Sequence, residues 1–370
     1  MRILLLADIN SIHTQKWTTA LKSRGIEVGV FSLNNLNSAR PELQGIQLFH
    51  PGLSRDLSSV GLLQKLRYLT VLPSLKRCIQ NFAPDIVHAH YASSYGLLGS
   101  LSGFHPYLLS VWGSDIFDFP NSSSLARFLI RYNLKKADRI LSTSHVMAQE
   151  TKKYTGKEIE ITPFGVDLNL FKPFQVRQSH SSDSIVIGTI KSMEVKYGIE
   201  YLIGIFAKLC LKYPELTMFL HIVGGGSLEG QLKEQTRALG IENQVVFLGM
   251  VAHEEVPSYL NNFDIYAALS ISDSESFGVA VIEASACELP VVVTNIGGLK
   301  EVVEDGVTGL LVPPKDIEKS MESFETLLFS KELRTEMGRK GRERVNKMYN
   351  WNENVERMIA IYQEFFNSKG

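Results

Sequence analysis

Short apolar segments alternate with helical stretches along nearly the whole chain. The first half begins with RILLLA at 2–7, a helical pattern at 14–24 that Gly25 ends, and IEVGVFSL at 26–33. Further apolar segments stand at 85–90, 106–112, 137–144 and 158–163. Apolar runs bounded by turn residues are typical of buried parallel strands. Their alternation with helices indicates an α/β domain with one doubly wound sheet.

The alternation lapses at 164–185 and then resumes. This stretch is rich in polar and turn residues and has neither period, which predicts an interdomain linker at 173–183. The second series has apolar segments at 184–190, 217–224, 245–249, 264–270, 290–294 and 309–313, with a helix at 199–211. A chain of 370 residues exceeds one hydrophobic core. We therefore expect Rossmann-like domains at 1–172 and 184–348, each binding ligand at the carboxyl ends of its strands.

Composition indicates a soluble globular protein with an uneven charge. Hydrophobic residues make up 44% and charged residues 21%, which is ordinary for packed domains. Residues 1–175 contain 19 Lys and Arg against 12 Asp and Glu, whereas 176–370 contain 19 against 27, so the halves carry +7 and −8. A basic half suits an anionic acceptor or membrane surface, although plain enzymes also show such an imbalance.

Cysteine usage and the N-terminus predict a cytoplasmic protein. Cys78, Cys210 and Cys287 are odd in number and far apart, which fits reduced thiols. The apolar run that opens the chain is interrupted at Asp8 and is too short for a secretory leader. No run approaches the length of a membrane span, so any membrane contact is expected to be peripheral, on the inner face.

The stretch at 269–290, LSISDSESFGVAVIEASACELP, carries the most specific chemistry. Glu275 and Glu283 stand eight residues apart, a little over two helical turns, which puts both on one side of a site. A helix opens between them, at Phe277, Gly278 and Val279. The N–H groups and positive dipole end of a helix start attract a diphosphate. Carboxylates accept hydrogen bonds from vicinal diols, so the pattern predicts a nucleotide-sugar clamp.

With SFG after the first glutamate and ELPVVVTNIGGLKEVVEDGVTGLLVPP closing the segment, the chain resembles the retaining family 4 glycosyltransferases, also called glycosyl transferases group 1. Their motif has two glutamates separated by seven residues. The resemblance covers almost the whole chain and implies a GT-B fold, in which two doubly wound Rossmann-like domains face a central cleft. It also implies that a helix at 349–370 crosses back to the N-terminal domain. The amphipathic pattern alone fits equally a helix that caps its own domain.

This resemblance implies a metal-independent, retaining hexosyltransferase. Such an enzyme moves a hexosyl unit from a nucleoside-diphosphate sugar to an acceptor hydroxyl on a carbohydrate or lipid-linked acceptor. We expect a role in bacterial surface polysaccharide or glycolipid assembly. No cofactor, metal or nucleic-acid partner is expected, because no aspartate pair or histidine cluster of metal-ligand spacing stands at the diphosphate loop. The alternatives are a nucleotide-sugar-binding protein without transferase activity and a GT-B epimerase.

On the donor side, we place Glu275 near the transferred sugar and Glu283 at the ribose. Family members carry an arginine where Thr189 stands here and a lysine just before the following glycine. We expect Lys191 to substitute for that arginine and Lys196 to keep the lysine role, both neutralising the leaving diphosphate, with solvated loop lysines as the plain alternative. Further donor contacts are expected at Gly224, Gly225, Gly226 and Val251. A tight turn would need the glycines equally.

On the N-terminal domain, the candidate residues follow predicted strands. Many family members have a histidine in contact with the transferred sugar where Trp112 stands here. Either His90 or His13 supplies that contact, or leaving-group electrostatics carry the reaction without a histidine. A lone histidine is also often a structural residue. The acceptor-side candidates are Thr14, Tyr91 and Asp115.

Two helical stretches, at 62–82 and 125–139, mix basic with apolar residues. Their basic residues are Lys65, Arg67, Lys76, Arg77, Arg127, Arg131, Lys135 and Lys136. Such a mixture suits the headgroup boundary of an anionic bilayer. Apolar faces packed on the sheet, with merely solvated basic residues, explain the pattern equally well.

Overall fold

Every apolar segment predicted as a strand forms one in the computed structural model, which describes residues 1–37, 41–51, 66–174 and 184–367. Contacts between Cα atoms divide the chain into two units. The first comprises Met1–Pro163 and the chain from Glu353 onward, and the second comprises Phe164–Asn352. The division falls at Pro163, ahead of the linker expected at 173–183, of which residues 175–183 lie outside the described residues.

The first unit is built on a seven-stranded parallel sheet. Its strands are β1 Arg2–Leu6, β2 Glu27–Phe31, β3 Gln47–Phe49, β4 Ile86–His90, β5 Tyr107–Val111, β6 Arg139–Ser142 and β7 Ile159–Ile161. They lie in the order β3-β2-β1-β4-β5-β6-β7. The sequence pattern missed β3, because three mostly exposed residues at a sheet edge form no apolar run.

Helices cover both faces of this sheet. They are α1 Ile12–Ser23, α2 Leu72–Phe82, α3 Tyr95–Ser102, α4 Ser114–Phe117, α5 Ser124–Lys136 and α6 His145–Lys152, with 3₁₀ segments at Pro41–Leu43, Leu66–Val71 and Phe119–Asn121. Leu4 of β1 shares one core with Leu75 of α2 and Ile130 of α5. Ile3 and Leu5, which point to the other face of β1, are equally buried. Burial on both faces is what an all-parallel sheet requires.

The second unit is built on a six-stranded parallel sheet. Its strands are β8 Ile185–Ile190, β9 Met218–Val223, β10 Val245–Gly249, β11 Ile265–Ala268, β12 Val291–Thr294 and β13 Gly309–Val312, in the order β10-β9-β8-β11-β12-β13. Its helices are α7 Ile199–Lys212, α8 Glu229–Ala238, α9 Val256–Leu260, α10 Val279–Ala286, α11 Leu299–Val302, α12 Ile317–Leu328 and α13 Lys331–Met348. Short 3₁₀ segments occupy Val195–Tyr197 and His253–Glu255.

Each sheet has a point where its strand order reverses. The reversal lies between β1 and β4 in the first unit and between β8 and β11 in the second. Loops that leave the carboxyl ends of such a strand pair run to opposite sides and open a crevice for ligands. The residues expected to bind ligands follow these strands: His13 after β1, His90 at the end of β4, Lys191 after β8 and Glu275 after β11.

The C-terminal helix, α14 Trp351–Asn367, packs on the first unit from Glu353 onward. The hydroxyl of Tyr362 lies 2.7 Å from Nδ1 of His88 on β4, in a buried hydrogen bond. Near the end of the helix, Glu364 accepts a hydrogen bond from Arg139 at 2.8 Å. The helix therefore completes a unit from which it is separated in sequence by the whole second sheet.

We expect Tyr362→Phe to destabilise the protein. Without the hydroxyl, Nδ1 of the fully buried His88 loses its partner, and an unpaired buried polar group costs about 1–3 kcal/mol. Urea denaturation measures the free energy of unfolding. Tyr154→Phe is the matched control, because Tyr154 is a half-buried residue of the first unit whose hydroxyl makes no hydrogen bond within the described ranges. Equal losses in both variants would show that the Tyr362–His88 bond adds nothing.

Candidate active site

The carboxyl ends of β8 and β11 bring two charged side chains together. Nζ of Lys191 donates to Oε2 of Glu275 at 2.9 Å, and both side chains are only 12% exposed. Ser270, which follows β11, donates to the same carboxylate oxygen at 3.1 Å. Burial alone raises the pKa of Glu275, but the charge and hydrogen bond of Lys191 outweigh burial and bring the pKa below its usual value. Glu275 is therefore an ionised carboxylate held by an ammonium group.

One aromatic ring contacts both lysines that were expected to bind a diphosphate. Nζ of Lys191 lies 4.8 Å from the ring centroid of Tyr197, and Nζ of Lys196 lies 4.9 Å from it. Such cation–π contacts attract a lysine without removing its charge. The carbonyl of Lys196 also accepts the N–H of Ile271 at 2.8 Å, which ties this loop to the loop that carries Glu275. The structure therefore gathers Lys191, Lys196 and Glu275 in one place.

The glycines that follow β9 lie against protein backbone. A Cβ on Gly224 would stand 2.0 Å from the carbonyl oxygen of Lys191, and one on Gly226 would stand 2.5 Å from that of Met193. Gly224 also has a φ of 134°, which L side chains rarely adopt. Gly225 is less confined, since its nearest neighbour is the side chain of Met250 at 3.1 Å. The chain's own loop explains Gly224 and Gly226, and a ligand contact at these glycines stays a prediction.

Two further glycines position the loop of Glu275. A Cβ on Gly297 would stand 2.1 Å from the carbonyl oxygen of Glu275, and one on Gly298 would stand 2.4 Å from that of Ser276. The N–H of Gly298 donates to the carbonyl of Glu275 at 2.7 Å. Any larger residue at these positions would push the loop away. The NIGG segment after β12 therefore sets where Glu275 lies.

Helix α10 begins directly after this loop. Gly278 precedes its first turn with a φ of 97°, and no described side chain caps the helix. The ring of Phe277 is buried between Phe164 and Tyr349, at centroid distances of 5.7 and 5.5 Å. The side chain of Phe277 thus belongs to the core. The backbone N–H groups around Val279 remain as the donors that a helix start offers to an anion.

His253 is a site residue that the sequence analysis missed. It lies in the 3₁₀ segment after β10, and its Nε2 donates to Oε1 of Glu283 at 2.8 Å. Glu283 is buried on α10, so this imidazole is a close partner of the carboxylate assigned to the ribose. The ring of Phe171 lies 5.3 Å from that of His253 and restricts its position. Val251, the expected base contact, precedes His253 in the same loop and is half-buried.

Three rings meet at the carboxyl edge of the first sheet. The ring of Trp112 lies 4.4 Å from that of His90 and 5.9 Å from that of His13. His90 is buried, and its Nδ1 has no hydrogen-bond partner among the described residues. Burial lowers the pKa of His90 well below its usual value, with smaller contributions from His88 and His13. Two imidazoles thus flank the tryptophan, and His90 is a neutral one.

Asp115 holds the loops of this edge together. Its carboxylate is fully buried and accepts the backbone N–H groups of Ala92 at 2.6 Å, Gly113 at 2.7 Å and Trp112 at 3.2 Å. Burial raises the pKa of Asp115, although these hydrogen bonds oppose the rise. The structure thus corrects the acceptor-side expectation for Asp115, because a carboxylate without exposed surface positions the loops after β4 and β5 instead.

Tyr91 and Thr14 are the other acceptor-side candidates. Tyr91 is half-buried, its hydroxyl bonds to that of Ser114, and its φ of 81° is unusual for a residue other than glycine. Thr14 is buried on α1, and its hydroxyl has no hydrogen-bond partner in the described part of the chain. Acceptor contacts by these two residues stay predictions.

Comparison with known protein families decides the identity. The family described as "Glycosyl transferases group 1" matches residues 172–344, and that described as "Glycosyl transferase 4-like" matches residues 2–144. The chain is a family 4, group 1 glycosyltransferase. The two matches fall on different units, and the first contains both glutamates and both lysines of the site.

Named relatives of this glycosyltransferase include two that concern N-acetylglucosamine. It is 27% identical over 299 residues to a phosphatidylinositol N-acetylglucosaminyltransferase of Arabidopsis thaliana, covering 79% of this chain and 64% of the relative. It is also 27% identical over 293 residues to N-acetyl-alpha-D-glucosaminyl L-malate synthase of Bacillus anthracis, covering 76% of this chain and 74% of the relative. The glycosyltransferase therefore spans less than two thirds of the Arabidopsis protein.

Solved structures confirm the fold of the glycosyltransferase. Sucrose-phosphate synthase of Thermosynechococcus elongatus superposes with a TM-score of 0.86 at 20% identity, over 100% of both chains. The Anabaena HepE protein, solved with UDP and glucose, gives a TM-score of 0.79 at 18% identity, over 98% of this chain and 99% of that one. At these identities the likeness shows the fold alone, and it confirms the predicted GT-B class with two Rossmann-like domains.

Some chemistry is not represented in the described ranges of the glycosyltransferase. They contain no group of three or more His, Cys, Asp and Glu side chains placed to hold a metal ion. No helix in these ranges is long and apolar enough to cross a membrane. Cys78, Cys210 and Cys287 are free. Burial raises the thiol pKa of Cys78 and Cys287 to about 12, so these thiols stay protonated and weakly nucleophilic.

We expect Lys191 and Glu275 to be energetically coupled. Lys191→Met leaves a buried carboxylate without its cation, and Glu275→Gln leaves a buried ammonium without its anion, so each variant should lower the free energy of unfolding. The double variant should lose less than the sum of the two, with a coupling of about 0.5–3 kcal/mol. Urea denaturation of all four proteins measures it. Additive losses would show that the pair is not formed in solution.

Proposed function

We propose that this glycosyltransferase transfers a hexosyl unit from a nucleoside-diphosphate sugar to an acceptor hydroxyl, with retention at the anomeric carbon and without a metal. The observation that carries the proposal is the group of Lys191, Lys196 and Glu275 at the reversal point of the second sheet. Two ammonium groups and an uncapped helix start supply positive charge for a diphosphate. The carboxylate beside them suits the hydroxyl groups of the transferred sugar.

The placement of charge supports this reaction. As the bond between the anomeric carbon and the diphosphate oxygen breaks, its electron pair passes to that oxygen, and the acceptor oxygen bonds to the anomeric carbon. Negative charge grows on the diphosphate, where Lys191, Lys196 and the N–H groups of α10 would stabilise it. Glu275 accepts from one of the three N–H groups of Lys191, which leaves two for phosphate oxygens. In this scheme the leaving group is neutralised by residues of the chain itself.

We place the nucleoside at Glu283 and the loop after β10. His253 donates to Oε1 of Glu283, so the other oxygen is free to accept from ribose hydroxyls in this scheme. Met250 precedes His253 in the same loop, is largely exposed and lies against Gly225. A flexible, polarizable thioether is an adaptable surface for a nucleobase. His90 and His13 stay the candidates for contacts on the first unit.

The relatives suggest which donor to try first. Two of them carry N-acetylglucosamine in their names, and HepE was solved with UDP. We therefore put forward a UDP-linked N-acetylhexosamine, with GDP and ADP as the alternative nucleotides. The name of the Arabidopsis relative includes a phosphatidylinositol, which supports a lipid-linked acceptor and hence a cytoplasmic reaction in glycolipid or surface polysaccharide assembly.

We expect UDP to bind the folded protein and UDP-N-acetylglucosamine to be consumed. A nucleotide at about 100 times its Kd adds about 2.7 kcal/mol of stability and raises Tm, so thermal unfolding with UDP, GDP and ADP identifies the base. Mass spectrometry then detects an acceptor heavier by one sugar unit, and NMR of the product shows whether the anomeric configuration is retained.

The other outcomes separate the alternatives. Nucleotide binding without any product would favour a binding protein that lacks transferase activity. Conversion of the donor sugar without an acceptor would favour an epimerase. A chain whose Tm does not respond to any of the three nucleotides would contradict the donor class itself.

The two glutamates should respond differently to substitution. Glu283→Ala removes hydrogen bonds from a charged group to the ribose, and each such bond contributes about 1.5–3 kcal/mol to binding of the free nucleoside diphosphate. Glu275→Gln should instead slow turnover of the intact donor and leave affinity for the free diphosphate nearly unchanged. Calorimetry and steady-state kinetics measure the two effects. An equal loss of diphosphate affinity in both variants would move Glu275 to the nucleotide end.

A further inference from the structure

Helix α5 exposes two large apolar side chains on the first unit. Phe128 is 62% exposed and Leu125 is 45% exposed. They stand three residues apart and therefore lie on one face of the helix. The opposite face buries Ile130 and Leu134 in the core. The exposed pair thus adds nothing to the packing that holds the helix in place.

Basic side chains border this apolar pair. Arg127, Arg131 and Lys135 are exposed, and the sequence of α5 contains no acidic residue. Among the described residues, none of the three basic side chains forms an ion pair. We call Leu125, Arg127, Phe128, Arg131 and Lys135 together the α5 surface. Its positive charge is not compensated by neighbours.

The α5 surface is held rigidly. The hydroxyl of Ser123 caps the helix by accepting the N–H of Ala126 at 3.1 Å. At the other end, the buried Asn133 donates to the carbonyl of Ala92 at 2.8 Å. A helix fixed at both ends presents its outer face in one arrangement, so binding a partner there requires little ordering.

The other basic stretch identified in the sequence is only partly described. Lys76 and Arg77 are exposed on α2, which shares the core of α5 through Leu75. Lys65 and the side chain of Arg67 lie outside the described residues. The inference below therefore concerns α5.

We propose that the α5 surface docks on an anionic lipid bilayer. Phe128 and Leu125 enter the headgroup boundary, where apolar side chains leave water. The three basic side chains attract phosphate-bearing headgroups. A second copy of the chain would bring like charges together at this surface, and a nucleic acid would engage the basic side chains but leave Leu125 exposed to water. The boundary of an anionic bilayer accommodates both kinds of side chain, and this docking is independent of the donor site.

The test is sedimentation of the full chain with lipid vesicles. The protein should sediment with vesicles of phosphatidylcholine and phosphatidylglycerol, but not with phosphatidylcholine alone, and added salt should release it because salt screens the charges. Phe128→Ser should weaken binding about tenfold, since part of an aromatic ring no longer leaves water. Reversing Arg127, Arg131 and Lys135 to Glu should weaken it by at least about 100-fold, because attractive charges become repulsive.

Matched controls come from the second unit. Phe329→Ser alters a phenylalanine that is 59% exposed, close to the exposure of Phe128, and should leave binding unchanged. Reversing the exposed Lys208, Lys331 and Lys347 to Glu changes the net charge equally and should also leave most binding intact. Each variant should keep the Tm of the parent and its Tm response to UDP, which separates a failure of docking from a failure of the donor site.

Several results would overturn the proposal. These are no sedimentation at low salt, equal sedimentation with neutral vesicles, or losses in the control variants that match those of the α5 variants. Displacement from vesicles by duplex DNA at equal phosphate concentration would assign the surface to nucleic acid instead.

Discussion

The second unit depends on a close approach of two loops, which lets Lys191 reach Glu275. Gly224 and Gly226 allow the loop after β8 to lie against the end of β9, and Gly297 and Gly298 allow the loop after β11 to lie beside β12, because a Cβ at these positions would overlap backbone atoms. The charges then meet where little water reaches them. A buried carboxylate is tolerated there because an ammonium group compensates it. Glycine spacing and ion pairing therefore form one arrangement.

The first unit manages its polar residues by another route. His88 is fully buried, its pKa is lowered to about 3 by burial, and its ring nitrogens bond to Tyr362 and Ser110. His90 beside it is neutral for the same reason. The strand ends of the first unit thus carry neutral imidazoles, whereas those of the second carry two cations and a carboxylate. Such a division suits an uncharged acceptor on one unit and a diphosphate on the other.

Two departures from the family pattern keep their chemical group nearby. Thr189 replaces the usual arginine, yet Lys191 two residues later lies on the ring of Tyr197 with Lys196. Trp112 replaces a usual histidine, yet imidazoles flank its ring. Loss of a residue at a motif position therefore does not remove the positive charge or the imidazole from its part of the fold. Lysine nonetheless lacks the bidentate geometry of arginine.

Strand positions, the family and the pair of glutamates were all readable from sequence, because apolar runs report burial and helical spacing reports which side chains share a face. The edge strand β3 was not readable, since an exposed strand leaves no apolar run. The bond from His253 to Glu283, the ring of Tyr197 between two lysines, and the burial of Asp115 also went unseen. Each depends on loops from different strand ends meeting in space. Sequence by itself determined which charged and polar groups the chain carries, whereas tertiary structure decided which of them became partners, because partnership depends on distances that local pattern does not encode.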